Sequence, residues 1–283
     1  MIESDAKRRT QSVWGSSPAG TTLAKGAAVG TREFFEGVLE KRAAGEMAWL
    51  PDVFPFDEVV GKRVLELGCG AGFDAYRFMT SGAVYTGVDI TPENVERTRT
   101  HLGLYGLKPD AIQADAESLP FADGSFDIVF SNGVLHHTPD MRAAFGEALR
   151  VLKRGGEFWV TVYHRDSVFY WGRLALYDQI IKGGWRHQTL QERLARIEFT
   201  TSDELPLVRV LSRGGLRRLL GSSGFDIAWL GVRKLAEEDF PLVPGVGFVV
   251  RRIPLAVIDR LGMVAGWYVA ARAVRPMTQE AQG

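Results

Sequence analysis

The chain has 283 residues, 46% hydrophobic and 24% charged, enough for one large domain or a domain with a cap. Its 34 Lys and Arg balance 34 Asp and Glu, so it lacks the cationic excess that phosphate neutralisation needs, and no nucleic-acid partner is expected. The single cysteine, Cys69, excludes an intrachain disulfide and argues against a structural zinc site.

The N-terminal stretch has no apolar signal core. Late uncharged runs such as "LGMVAGWYVAA" fall short of the ~20 residues that a spanning helix needs. A soluble cytoplasmic protein with no spanning membrane segment is expected. Residues 1 to about 30 are rich in Gly, Ser, Thr and Ala and read as a loose arm anchored by Trp14 and Leu23. "TREFFEGVLEKRAAG" follows as a helix with Phe34, Phe35, Val38 and Leu39 on one face.

From Arg63, strands alternate with helices. "RVLEL" is a short strand, "GCGAG" a turn and "FDAYRFMTSG" a helix closed by Gly82. "VYTGVDI" is the second strand. "TPENVERTRTHLGLYG" is a helix with Thr91 as N-cap and Pro92 in the first position. "DAIQADA" and "FDIVFSNG" are the third and fourth strands. "DMRAAFGEALRVLKRGG" is a helix capped by Asp140, with Gly155 and Gly156 after its last turn, and "EFWVTVYHR" is the fifth strand. This alternation predicts a doubly wound α/β sheet, mostly parallel, with helices on both faces. Such sheets bind ligands at the carboxyl ends of the strands, near a switch in strand order.

After Arg165 the rhythm is lost. "SVFYWGRLALYDQIIKGGW" and "HQTLQERLARI" read as helices, and "SRGGLRRLLGSSG" as a third capped by Ser212. "FDIAWLGVRKL" and "GWYVAARAVR" are the closing strands, with an apolar, basic excursion at 236–262 between them. The expected organisation is an arm and helix covering the site (1–60), a cofactor-binding core (61–164), a helical cap or substrate region (165–211) and the C-terminal part of the core (212–283).

"VLELGCGAGFD" raises the question of ligand. Glycines at 68, 70 and 72 let the backbone approach a ligand closely. A dinucleotide fingerprint would place its third glycine at 73, where Phe73 stands, and a P-loop would need a Gly-Lys-Ser/Thr ending. The second strand ends in Asp89, whose carboxylate can accept from both hydroxyls of a ribose, a feature shared with nicotinamide binding. Glu66, Asp89 and Asp115 at three successive strand ends make a poor home for a pyrophosphate and suit a cationic nucleoside.

"VLELGCGAG", "GVDIT", "QADAESLPFADGSFDIVFSNGVLHHTPD" and "EALRVLKRGGEFWVTVYHR" together resemble the class I S-adenosylmethionine-dependent methyltransferases, most closely the small-molecule branch with the "LHH" motif. The resemblance covers roughly residues 61–164. It implies a Rossmann-like sheet of seven strands whose last strand is antiparallel. It implies that Gly68, Cys69, Gly70 and Gly72 line the methionine part of the cofactor, with Glu66 supporting the loop. Asp89 would hold the ribose hydroxyls, with Ile90 against adenine, and Asp115 and Ala116 would meet the adenine edge. Asn132 and Gly133 would sit near the methionine tail.

Methyl transfer requires exclusion of water, alignment of the acceptor and, for a hydroxyl or ammonium acceptor, removal of a proton. His136 is the first candidate base, followed by His137; both alternatively hold the loop by hydrogen bonds. His164 and Asp166 are further catalytic candidates, and Asp166 also fits a helix cap. Trp14, Tyr163 and Tyr170 are candidate substrate contacts. No spacing suggests a metal site. The expected activity is transfer of a methyl group to a small, partly apolar acceptor, with oxygen or nitrogen favoured and carbon open. A nicotinamide-dependent oxidoreductase and a cofactor-binding protein without catalysis are the rival readings. The apolar stretch 241–250 is a candidate homodimer surface, and Arg251, Arg252 and Arg260 fit a membrane surface, an acidic substrate or, as the simpler reading, a cap helix with solvated arginines.

Overall fold

The computed structural model describes residues 5–16, 20, 23, 26–197, 204–241 and 246–278. Seven strands form one sheet: β1 (Arg63–Leu67), β2 (Val84–Asp89), β3 (Asp110–Gln113), β4 (Phe126–Asn132), β5 (Leu152–Tyr163), β6 (Asp226–Arg233) and β7 (Tyr268–Val274). Their spatial order is β3-β2-β1-β4-β5-β7-β6. The first five run parallel, and β7 lies antiparallel between β5 and β6. The order reverses between β1 and β4, so a crevice opens beyond their carboxyl ends.

Strand alternation sorts the core into two layers. Leu65, Val129, Phe158 and Val160 point to one face, beneath Phe145 of α5 (Met141–Val151) and Leu216 of α7 (Arg213–Ser222). Val64, Ile128, Phe130 and Trp159 point to the other. There they meet Phe54, Phe56 and Phe78, the last from α3 (Phe73–Thr80). α4 (Pro92–Gly103) follows β2 and adds Leu102 to this layer.

Local chemistry explains most boundaries. The Asp140 carboxylate accepts from Ala143 N–H at 3.0 Å and starts α5. Ser212 caps α7 in the same way through Gly215 N–H. In the short helix α6 (Leu190–Ala195), Thr189 and Glu192 form a reciprocal capping box. Thr91 stands at the N-cap of α4, but its buried hydroxyl bonds to no described residue. Asp89 Oδ1 takes the Thr91 N–H instead, at 2.9 Å.

Three elements depart from the sequence expectations. The arm expected to be loose begins with a helix, α1 (Asp5–Ser16), laid against α4. Helix α2 (Arg32–Ala44) follows, burying Phe34, Phe35 and Val38 as its spacing predicts. Strand β5 begins at Leu152, so Gly155 and Gly156 lie within it rather than before it. Gly155 N–H and the Gly156 carbonyl both pair with Arg275 just past β7, which extends the ladder backwards. The aromatic segment after β5 is helical, but it winds as a π-helix over Phe169–Ile181. The excursion between β6 and β7 carries two helices, α8 (Val246–Val250) and α9 (Leu255–Ala265). Of the candidate homodimer stretch 241–250, positions 242–245 lie outside the described residues.

Candidate active site

β1 delivers the chain into the glycine loop at the switch in strand order. Gly68 has φ +80°, and a Cβ there would lie 2.4 Å from a Val134 methyl. Dihedral and packing both require glycine at this position. Gly70 has φ +56° and open space where a Cβ would project. Its N–H donates to Asp89 Oδ2 at 3.0 Å, tying the loop to the end of β2. Asn94 donates to the same oxygen at 3.3 Å. Burial pushes the Asp89 carboxyl up from its ordinary range, while the N–H groups of Thr91 and Gly70 pull it back.

Glu66 lies beneath the loop, buried, and accepts the Tyr85 hydroxyl at 2.6 Å. Burial first, and the Asp74 charge second, hold its carboxyl well above the usual range. The Cys69 thiol is likewise raised well above its ordinary value, by burial and then by Asp89 and Glu66. It is a packing residue rather than a ready thiolate.

A polar chain closes the β4 side. Asp74 Oδ2 accepts from Arg42 at 3.2 Å and from Asn132 Nδ2 at 2.9 Å. Asn132 Oδ1 accepts from Thr161 Oγ1 at 2.6 Å, and that hydroxyl accepts Gly133 N–H at 3.0 Å. Helix α1 crosses the other side. Lys7 Nζ stands 2.5 Å from both Asp115 Oδ2 and Glu117 Oε2. Burial alone would lower the Lys7 pKa, but the two carboxylates outweigh it and raise it. Gln11 donates to the Ile90 carbonyl at 3.0 Å, and Arg97 donates to the carbonyls of Trp14 and Gly15.

After β4 the chain makes a single turn over Leu135–His137 that directs its two histidines differently. His137 Nδ1 lies 2.7 Å from the Leu207 carbonyl, which fixes the proton on that nitrogen. Its ring meets Trp14 edge-on at 5.4 Å. Burial lowers its pKa to about 4, so it is neutral near pH 7. His136 is fully buried, its ring tilted against Tyr163 with centroids 4.0 Å apart, and it bonds to no described residue through either ring nitrogen.

One cavity unites these parts. Glu66, Gly68, Cys69, Gly70, Asp89, Ile90, Asp115, Ala116, Asn132 and Gly133 all line it, as do Trp14 and His137. A family profile described as "Methyltransferase domain" matches residues 65–160, the stretch that builds most of this wall. Over 103 residues the chain is 42% identical to a probable phthiotriol/phenolphthiotriol dimycocerosates methyltransferase of Mycobacterium ulcerans, covering 36% of this chain and 39% of that protein. Over 99 residues it is 38% identical to the 27-O-demethylrifamycin SV methyltransferase of Amycolatopsis mediterranei, covering 34% and 36%. The crystal structure of an S-adenosylmethionine-dependent methyltransferase from Mesorhizobium loti matches with a TM-score of 0.54 at 22% identity, covering 84% of this chain and 100% of that one. The chain carries a class I S-adenosylmethionine-dependent methyltransferase domain. It spans less than two fifths of the length of the two curated relatives, so the likeness speaks for this domain.

The remaining predicted site residues fall outside the cavity of the methyltransferase domain. Gly72 caps α3 from behind the loop, pressed on Thr98. His164 is buried with Nδ1 3.0 Å from the Gly266 carbonyl, and burial lowers its pKa. Asp166 pairs with Arg165 at the surface. Tyr163 stacks on Trp267 and meets His136 with tilted rings. Tyr170 packs edge-on against Trp171. None of these, nor His136, lines the cavity. Conversely, Lys7, Thr10, Arg42, Asn94 and Glu117 line it, and sequence reasoning missed all five. Lys7 and Thr10 come from α1 and Arg42 from α2, far in sequence from the glycine loop and the strand-end acids, so no motif reaches them. Asn94 and Glu117 carried one available signal, since each follows within five residues of a strand-end acid. Among the described residues, no group of three or more His, Cys, Asp or Glu is placed to hold a metal ion.

Proposed function

We propose that the whole chain transfers a methyl group from S-adenosylmethionine to a small, partly apolar acceptor. The observation that carries this reading is the convergence, on one cavity, of the bare loop at Gly68 and Gly70 with Asp89 at the end of β2 and Asp115 just past β3. The donor set fits the cofactor: carboxylates for a ribose and an amino group, open backbone at Gly70 and Gly133, and Asp74 with Asn132 for a charged amino-acid tail. S-adenosylmethionine, when bound, supplies a methyl group activated by a sulfonium. In this reading Asp89 accepts from the ribose hydroxyls and Asp115 and Ala116 meet the adenine edge. Lys7 then moves off Asp115 or shares it.

The base, in this reading, is His137 rather than His136. His137 lines the cavity, and its Nδ1 contact leaves Nε2 as the proton acceptor. His136 is packed behind it and supports Tyr163. A histidine with a pKa of about 4 is too weak a base to deprotonate an ammonium group. It suffices for the oxonium that a hydroxyl becomes on methylation, which is far more acidic. That favours an oxygen acceptor over a charged amine. Trp14 against His137 would exclude water on the acceptor side.

The test is a transfer assay with methyl-labelled S-adenosylmethionine over paired apolar alcohols or phenols and amines of matched shape. Label is expected in the hydroxylated series, and turnover is expected to fall ~100-fold or more in His137→Ala, the usual weight of a general base. Transfer confined to the amines would overturn the assignment of the base.

A further inference from the structure

The excursion between β6 and β7 has no part in the cavity, and its surface is unlike the rest of the chain. Helix α9 turns only Ile258 and Gly262 inward. Its other apolar residues face outward, with Leu255 79% and Val264 74% exposed, and Val257, Leu261 and Met263 exposed beside them. Phe248 and Val249 of α8 are exposed as well. Scattered exposed apolar residues need no explanation, but seven within seventeen positions of one excursion do.

Within positions 248–264 the charges are three arginines against one acid, Asp259, while Glu237, Glu238 and Asp239 stand earlier in the excursion. Arg251 is neutralised by Glu237 at 2.7 Å. Arg252 lies over the Phe248 ring at 3.3 Å, and neither it nor Arg260 has an ion-pair partner among the described residues. Apolar side chains interleaved with unneutralised arginines match the surface of an interfacial helix, which buries its apolar residues at the headgroup boundary and sets its cations against anionic lipid. No helix among the described residues is long and apolar enough to cross a membrane.

The fold also fixes where this patch lies. β6 enters the excursion at Arg233, which pairs with Tyr268, and Tyr268 pairs with Tyr163 at the carboxyl end of β5. The patch therefore rises from the same end of the sheet as the cavity. It is packed there: Val168 from the segment after β5 joins Leu235, Val250 and Ile258 in one cluster.

We propose that α8 and α9 dock this protein on an anionic lipid bilayer, with Phe248, Leu255, Leu261 and Val264 at the acyl boundary and Arg252 and Arg260 against the headgroups. A second copy of the chain fits less well. A two-fold contact sets the same patch against itself and brings arginine toward arginine.

The test is sedimentation of the full chain with phosphatidylcholine vesicles, with and without phosphatidylglycerol. Binding is expected only with the anionic lipid, and is expected to weaken as salt rises. Arg252→Glu with Arg260→Glu should cost at least roughly thirtyfold in affinity, from the ordinary weight of two arginines at such a surface. Leu255→Asp with Val264→Asp should abolish binding, with thermal melting unchanged because both side chains are exposed. S-adenosylhomocysteine titration of the same variants reads the cofactor site separately. Absence of wild-type binding to anionic vesicles, or equal binding by the arginine variant, would overturn the proposal. So would a solution dimer that Leu255→Asp with Val264→Asp dissociates, which would assign the face to a second copy.

Discussion

At the scale of single residues, the decisive contrast is between two adjacent histidines. His137 touches the cavity, with its tautomer set by the Leu207 carbonyl, while His136 is walled in by Tyr163. His137→Ala should lower turnover and leave the affinity for S-adenosylhomocysteine within a few-fold. His136→Ala, which opens a void beside Tyr163, should chiefly lower the melting temperature. Parallel turnover, titration and melting measurements check the pair, and the reverse pattern would return the base to His136. The motif containing both histidines was legible in the sequence. Which of them faces the cavity was not, because that depends on a single tight turn and on Leu207, seventy positions away. Arg42 was hidden for a similar reason: its partner Asp74 belongs to a different element.

At the scale of elements, the strands and helices from β1 to β4 follow directly from apolar periodicity and caps, and they carry most of the cavity wall. Helix α1 does not. Its sequence is polar with a poor apolar stripe, so nothing local marks it as ordered. It is held by contacts that only the fold creates: Lys7 on Asp115 and Glu117, Gln11 on Ile90, and Arg97 on Trp14 and Gly15. Lys7→Ala removes two ion pairs in the cavity wall, each partly buried. At roughly 0.5 kcal/mol per screened pair, local opening of α1 should rise several-fold. Hydrogen exchange over residues 5–16 reads this, with the sheet amides as the unchanged reference. Unaltered protection of α1 would mean that Gln11 and Arg97 suffice to hold it. The π-helix was legible as a helix but not in its winding, since its all-round aromatic composition gives no period to read.

At the scale of the whole molecule, burial of histidine makes stability depend on pH. Burial lowers His101 and His137 to about 4, and lowers His136 well below its ordinary value. The unfolded chain, with histidine near 6.5, then takes up protons before the folded one does. Stability is complete above about 6.5 and is lost as the pH falls toward 4. For fully buried His137 the loss between pH 7 and pH 5 is on the order of 2 kcal/mol. The urea midpoint should therefore fall across that window, and a flat profile would contradict the assignment of neutral buried histidines. The sheet itself was legible from the alternation of strands and helices, whereas the positions of the cap and of the excursion were not, because no repeating period ties either to the core. The central claim concerns the cavity at the switch in strand order, and calorimetric titration with S-adenosylhomocysteine tests it most directly. Wild type is expected to bind at micromolar level, and Asp89→Ala to bind roughly ten- to a hundredfold more weakly, as the loss of a charged acceptor for two hydroxyls implies. No binding by protein freed of retained cofactor, together with binding of a nicotinamide dinucleotide, would contradict it.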